Sequence, residues 1–212
     1  MSEDLIIHTD PQGSDAWLAA RRGVITASRF KDCRDRLKNG APSKKCTDYA
    51  MDVARERLGG SAKPAHENEY MRTGTEQEQK ARQEYELRTG NIVEEAGFIT
   101  THDKRFGVSV DGFVGNDGIV EIKTMVSSDT LFKAFVDGDI SAYIDQCNGA
   151  MWLLGRKWVD LVLWAYDLEA MRIIRIDRND DEIDSLESDL MEFERTVTRN
   201  KIALREALKE AA

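Results

Sequence analysis

The segment VSVDGFVGNDGIVEIKT, residues 108–124, constrains the fold more than any other stretch of the chain. Two runs of β-forming residues, Val108 to Val110 and Ile119 to Ile122, flank a turn containing Asn116, Asp117 and Gly118. The pattern predicts a β-hairpin. Alternation along the second strand sends Val120 and Ile122 to one face, toward a core, and Glu121 and Lys123 to the other. Asp111, at the end of the first strand, then lies beside Glu121 and Lys123. Two carboxylates offer oxygen ligands to a hard divalent cation such as Mg²⁺, with positions left for water and phosphate oxygens. A neighbouring lysine can orient or activate an attacking water. These are the parts of a metal-dependent phosphodiester hydrolase. A hairpin with one solvated face accounts for the same residues, because charges at alternating positions are ordinary there. The segment leaves both readings open.

Composition narrows the class. At 212 residues the chain suffices for a single domain, residues 1–212, with a sizeable core. No apolar run approaches the ~18 residues that span a membrane. The start, MSEDLIIHTDPQGSD, lacks the basic-then-apolar pattern of a signal peptide, so export is not expected. Cys33, Cys46 and Cys147 are odd in number and form no C-x-x-C pair, which argues against a disulfide framework. His8, His66 and His102 stand far apart and give no support to a zinc site. The expectation is a reduced, cytoplasmic protein with no membrane contact.

Net charge is −9, which by itself argues against nucleic acid. The distribution is uneven. Arg21 to Lys45 carries nine basic residues against Asp32 and Asp35, a net +7, whereas Asp177 to Arg195 carries nine acidic residues against Arg178 and Arg195, a net −7. An acidic body can confine phosphate binding to one basic patch and a metal-filled cleft. Solvated helix faces would look the same.

Periodicity and breakers predict the order of elements. A helix capped by Ser14 or Asp15 closes at Gly23, and a second, capped by Thr26 or Ser28, runs toward Leu37. A third covers Thr47 to Leu58, and a long polar helix covers about Glu67 to Arg88. Strands follow at Ile92–Thr100, Phe106–Val110 and Ile119–Thr124. Helices cover Ser128–Val136 and about Ser141 to Gly155. A second hairpin pairs Val159–Tyr166 with Met171–Ile176. A last helix from Asp180 repeats Ile183, Leu186, Leu190, Phe193 and Val197 at helical spacing. The sum is an α/β fold with a mixed central β-sheet flanked by helices.

Three further segments bear on the hairpin. In GTEQEQKARQEYE, Glu78 falls on the most plausible inward stripe of a polar helix, where it can face the sheet or remain one solvated glutamate among many. In SAYIDQ, Gln146 lies four residues before Ala150 on an inward face, where a glutamine needs hydrogen-bond partners. In WLAARRGVITAS, an arginine ends one helix and hydroxyls begin the next, an arrangement suited to a phosphate and also to simple helix capping.

DAWLAARRGVITAS, GTEQEQKAR, VSVDGFVGNDGIVEIK and SAYIDQCNGAMW, spanning residues 15–152, together resemble the phage lambda exonuclease family of alkaline exonucleases. That family lies within the restriction-endonuclease-like nucleases. The resemblance implies a restriction-endonuclease-like core. It implies Mg²⁺, with Mn²⁺ as substitute, held by Asp111, Glu121 and the Ile122 carbonyl, with Glu78 at a second metal position. Lys123 would position or activate the attacking water, and Gln146 would orient that water or the lysine. Arg21 and Ser28 would bind a 5′-phosphate, and Met71 would wedge into the duplex end. Family enzymes digest one strand of duplex DNA from the 5′ end and leave a 3′ single-stranded tail. They form a ring of three subunits and work with a single-strand annealing protein in phage recombination. Two positions depart from the pattern. Thr124-Met125 stand where the lambda enzyme has cysteine and proline, and Ala150 stands where many relatives carry a tyrosine. A structure-selective endonuclease or junction resolvase uses the same metal core, and a DNA-binding module on a nuclease scaffold is a further alternative. An iron–sulfur nuclease is disfavoured, because its cluster needs four cysteines.

Overall fold

A computed structural model of the protein describes residues 5–61 and 69–211. The chain divides into two compact units. One takes Met1–Ala65, Gly97–Val108 and Asn179–Ala212, and the other takes His66–Ala96 and Ser109–Arg178. The expected α/β class and mixed pairing are present, with the strands in two four-stranded mixed sheets.

The first unit contains β1 (Leu5–His8), α1 (Asp15–Arg21), β2 (Ile25–Thr26), a 3₁₀ turn (Ala27–Arg29), α2 (Phe30–Cys33) and α3 (Lys44–Glu56). Its last helix, α7 (Asp180–Glu210), lies wholly beyond the second unit in sequence, and its strands β3 (Phe98–Thr101) and β4 (Phe106–Ser109) fall at the break between the two segments of that unit. Strand order in its sheet is β1-β3-β4-β2, with β3 at Phe98–Thr101 and β4 at Phe106–Ser109. β1 runs antiparallel to β3, and β2 parallel to β4. Ser14 caps α1 by accepting from the Trp17 amide, as its position before the helix predicts. Thr26 makes no side-chain cap; it belongs to β2 and gives its amide to the Tyr49 hydroxyl at 3.1 Å. The predicted second helix therefore stops at Cys33, after which Arg36 and Pro42 form an isolated bridge. Ser43 caps α3, which starts at Lys44 and not at about Thr47.

Helix α7 (Asp180–Glu210) begins at Asn179, whose side chain accepts from two amides of the first turn. Its predicted stripe is buried: Ile183, Leu186, Leu190, Phe193 and Val197. Each such side chain contributes about 1.5–3 kcal/mol. Phe193 stacks on Tyr49 of α3 at 5.4 Å. The acidic run on this helix meets part of the basic run, with Arg34 to Asp189 at 2.8 Å.

The second unit contains α4 (Glu69–Thr89), β5 (Gly112–Val114), β6 (Gly118–Thr124), α5 (Ser128–Phe135), α6 (Ile144–Leu154), β7 (Trp158–Ala165) and β8 (Ala170–Asp177). Its sheet order is β5-β6-β7-β8, antiparallel, parallel, antiparallel. The hairpin into β6 is real, but its first strand is Gly112–Val114, not Val108–Val110. The turn is Gly115–Asp117, so Asp111 sits in the bend between β4 and β5. The strand expected at Ile92–Thr100 starts only at Phe98 and runs to Thr101; Glu94 makes a single bridge to Phe113.

One face of β6 and β7 packs Val120, Ile122, Val162 and Trp164 against Ala81 and Tyr85 of α4. The Tyr85 hydroxyl donates to Asp160 Oδ2 at 2.6 Å, and Arg175 holds the other oxygen of that buried carboxylate at 2.5 Å. Burial, reinforced by Asp160, pushes the Tyr85 phenol up to about 12, and burial pushes the Cys147 thiol to about 12. Cys33 is raised well above a thiol's ordinary value, again mainly by burial. These groups bind their protons more tightly when folded than when unfolded. Their contribution is complete below the unfolded values, near ~8.5 for a thiol and ~10 for a phenol, and is lost as pH rises toward the folded values. Urea midpoints should therefore fall between pH 8 and pH 11. A flat profile would show that these side chains ionise freely in the folded protein.

Candidate active site

Alternation along β6 places Glu121 and Lys123 on the same side of the strand, two residues apart. Their opposite neighbours, Val120 and Ile122, join the apolar cluster under α4. Glu121 is only 4% exposed. A carboxylate buried to that extent requires charged or hydrogen-bonding partners. Lys123 Nζ donates to Glu121 Oε1 at 2.7 Å, and Gln146 Nε2, from the first half of α6, donates to the same oxygen at 2.6 Å.

Asp111 completes the group by a different route from the one alternation predicts. It is not a strand residue opposite Glu121. Its Oδ2 accepts the backbone N–H of Ile122 at 2.5 Å, which pins the bend to the middle of β6. Burial, then the neighbouring Glu121, raise the Asp111 carboxyl well above the usual range; Lys123 and the Ile122 amide act the other way, and Glu78 adds to the rise. Burial pulls Lys123 down, but Glu121 and Asp111 outweigh it and hold the ammonium charged.

Glu78, on α4, lies within electrostatic reach of both carboxylates. Burial raises its carboxyl. Its Oε1 accepts from Arg82 Nη2 at 3.2 Å, one helical turn on, and Arg82 also reaches Glu95 at 2.5 Å. Sequence reasoning passed over Arg82, although an i, i+4 Glu–Arg pair inside GTEQEQKAR is a readable signal. It also passed over Tyr143, whose ring lies 5.9 Å from Lys123 Nζ, within cation–π range. Met71 falls in α4, but its side chain lies outside the described residues.

Arg21 and Ser28 belong to the other unit. Arg21 ends α1, with its guanidinium 4.4 Å from the Trp17 ring centre and 5.0 Å from that of Phe98. Burial lowers its affinity for its proton. Ser28 is exposed in the 3₁₀ turn, with its Oγ 3.4 Å from Thr26 Oγ1. Gly23 makes the turn between the two with φ +73°, a left-handed conformation that favours glycine.

Residues 16–157 match the YqaJ-like viral recombinase domain. The chain belongs to this family. It is similar to the crystal structure of an alkaline exonuclease, LHK-Exo, from Laribacter hongkongensis, with a TM-score of 0.81 and 31% identity over 94% of this chain and 100% of that one. The structure of LHK-Exo in complex with dAMP gives a TM-score of 0.83 and 30% identity over the same shares. A phage related exonuclease from Haemophilus somnus 129PT shares the fold at a TM-score of 0.64, with 17% identity over 87% of this chain and 96% of that one. Comparison with curated protein sequences gives no match. The resemblance to the lambda exonuclease family and the restriction-endonuclease-like fold is thus borne out. As a member of the YqaJ family the chain is an enzyme of the nuclease class.

Nucleases of this family generally use divalent metal ions. Among the described residues, no three histidine, cysteine, aspartate or glutamate side chains form a ready-made ligand set. The chemistry of the donors nonetheless fits a hard cation. Asp111 and Glu121 are oxygen donors in mutual repulsion, and Glu78 adds to it. Glu121→Gln and Lys123→Met should each lower hydrolysis by about 10²–10⁴-fold while the thermal melt persists. Near-parental turnover in both variants would remove this cluster from the chemistry.

Proposed function

We propose that the protein is a Mg²⁺-dependent exodeoxyribonuclease, with Mn²⁺ able to substitute, acting as a single nuclease domain over residues 1–212. It degrades one strand of duplex DNA from a 5′-phosphorylated end toward the 3′ end. The remaining 3′ single-stranded tail is the substrate of a single-strand annealing protein in phage recombination, and the working form is a ring of three subunits. The observation that carries the reading is the Asp111–Glu121–Lys123–Gln146 group on β6 and its neighbours, in a chain 31% identical to an alkaline exonuclease. The complex of that relative with dAMP, a deoxynucleoside monophosphate, supports DNA as the substrate class. The three buried cysteines, all free thiols, suit a reducing cytoplasm.

Asp111, Glu121, the Ile122 carbonyl and Glu78 are the groups that would hold the cations. A bound divalent cation supplies positive charge to the phosphoryl oxygens. The remaining steps fall to the side chains. Lys123 Nζ donates to Glu121 Oε1 at 2.7 Å, which sets it beside the carboxylates, where it would position or activate the attacking water. Gln146 donates to the same Glu121 Oε1 as Lys123 and so helps hold the carboxylate that the ammonium faces, which supports a role in orienting the lysine or the water. Arg21, desolvated on two aromatic rings, presents a pre-organised guanidinium to a terminal phosphate, and Ser28 adds a hydroxyl. A terminal phosphate carries nearly two negative charges against one for an internal diester, which gives the site a physical basis for choosing ends.

Purified protein incubated with Mg²⁺ and end-labelled linear duplexes, one 5′-phosphorylated and one 5′-hydroxyl, beside a closed circle, tests the reading. Nucleotide loss from the 5′ end, faster with the phosphate and absent on the circle, is expected. Cutting of the circle would replace the exonuclease with a structure-selective endonuclease. Calcium should support DNA binding with little cleavage, because its longer and looser coordination does not hold the same geometry. Cleavage in calcium at the rate seen in Mg²⁺ would contradict a Mg²⁺-type site.

A further inference from the structure

Helix α3 ends beside the turn that separates Arg21 from Ser28. The Gly23 amide donates to Glu56 Oε2 at 2.8 Å. The Gly23 carbonyl accepts from Arg57 Nε at 2.8 Å. Both backbone polar groups of Gly23 are therefore held by consecutive side chains, the last residue of α3 and the C-cap residue after it. The contact is close: a Cβ on Gly23 would lie 2.8 Å from Arg57 Cγ. Arg57 is anchored in turn. Its Nη1 pairs with Glu194 of α7 at 2.7 Å, with side chains only 15% and 9% exposed, and its Nη2 reaches the Arg105 carbonyl at 3.5 Å.

The same turn carries Arg21. The Val24 amide donates to the Arg21 carbonyl at 3.1 Å, so a shift of Gly23 is passed to the last residue of α1. On the far side, Tyr49 of α3 takes the Thr26 amide at 3.1 Å, and Thr26 Oγ1 lies 3.4 Å from Ser28 Oγ. Tyr49 and Glu56 of α3, with Arg57 at its C-cap, thus hold the path from Arg21 to Ser28. A buried pair such as Arg57–Glu194 contributes little net stability once its desolvation is counted. Its value here lies in where it places the remaining guanidinium N–H.

We propose that Glu56 and Arg57 are positioning residues for the 5′-phosphate pocket, setting the distance between Arg21 and Ser28 through their grip on Gly23. The proposal rests on the reading of Arg21 and Ser28 as the phosphate-binding groups. It predicts a change in preference for phosphorylated ends, which a role in stability alone would not produce.

The test compares rates on 5′-phosphorylated and 5′-hydroxyl linear duplexes with Mg²⁺, with Arg21→Ala as the reference and a thermal melt for each variant. Glu56→Met and Arg57→Lys should lower the ratio of the two rates by about tenfold, the loss of one charge-assisted hydrogen bond, with the change in KM for the phosphorylated duplex. Glu56→Gln, which keeps an acceptor oxygen for the Gly23 amide, should restore most of the ratio. Glu56 lies outside the buried pair, so Glu56→Met decides the matter if Arg57→Lys does not fold. A parental ratio in folded Glu56→Met, while Arg21→Ala has lost it, overturns the proposal and leaves the pocket standing. A parental ratio in Arg21→Ala itself overturns the pocket and the proposal together.

Discussion

Glu121 is a charged group in the middle of a sheet strand with almost no access to water, and several features of the second unit compensate for that burial. Taking a carboxylate out of water costs several kcal/mol even after relaxation. Lys123 and Gln146 meet the cost from two directions, one along the strand and one from α6. Because both donors converge on one oxygen, the first turns of α6 are tied to β6 by polar contacts as well as by packing. Asp111 raises the stakes, since a second carboxylate placed beside the first repels it. The backbone N–H of Ile122 is what keeps it there. On the other side of the strand, the Tyr85–Asp160–Arg175 group fixes α4 two helical turns from Glu78. An apolar face and a polar face of one seven-residue strand are therefore stabilised by different physics, and the polar face holds its charges close together at a cost the apolar face offsets.

The first unit treats charge differently. Its basic segment is not a uniform positive surface. Arg34 is committed to Asp189, Arg29 to Asp32 and Lys44 to Asp48. Exposed pairs of this kind contribute little to stability; Asp32 is already counted in the net +7, but Asp189 and Asp48 lie outside that segment and bring two further negative charges to it. The Arg21 guanidinium also rests on Trp17 and Phe98, whose aromatic faces attract a cation and fix its plane.

The parts of the site legible in the sequence were those governed by short-range periodicity. Two-residue alternation placed Glu121 with Lys123, and 3.6-residue spacing identified the buried stripe of α7. Capping chemistry found Ser14. Alternation failed at Asp111, because the chain leaves one sheet at β4 and enters another at β5, and that switch has no local signature. β1 and β2 were missed for a related reason. β2 has two residues and is a strand only because Phe106 and Gly107 lie beside it, a contact eighty residues away. The path from Arg21 to Ser28 was legible as a motif, while its supports were not. Glu56 and Arg57 look like ordinary charges at the end of a helix until the fold brings Gly23 against them.

Helix α7 has an electrical consequence beyond its packing. Its 31 residues make a rod ~46 Å long, whose aligned peptide dipoles place positive charge at the start and negative charge at the end. The side chains run the opposite way. The first turn is Asp180-Asp181-Glu182, and basic residues recur from Arg195 through Arg199, Lys201, Arg205 and Lys209. Each end of the dipole therefore meets side chains of the opposite sign, which stabilises both helix termini. About half a positive charge at the start leaves the carboxylates of residues 180–194 largely unneutralised, so this stretch repels an approaching polyanion and turns it toward other surfaces.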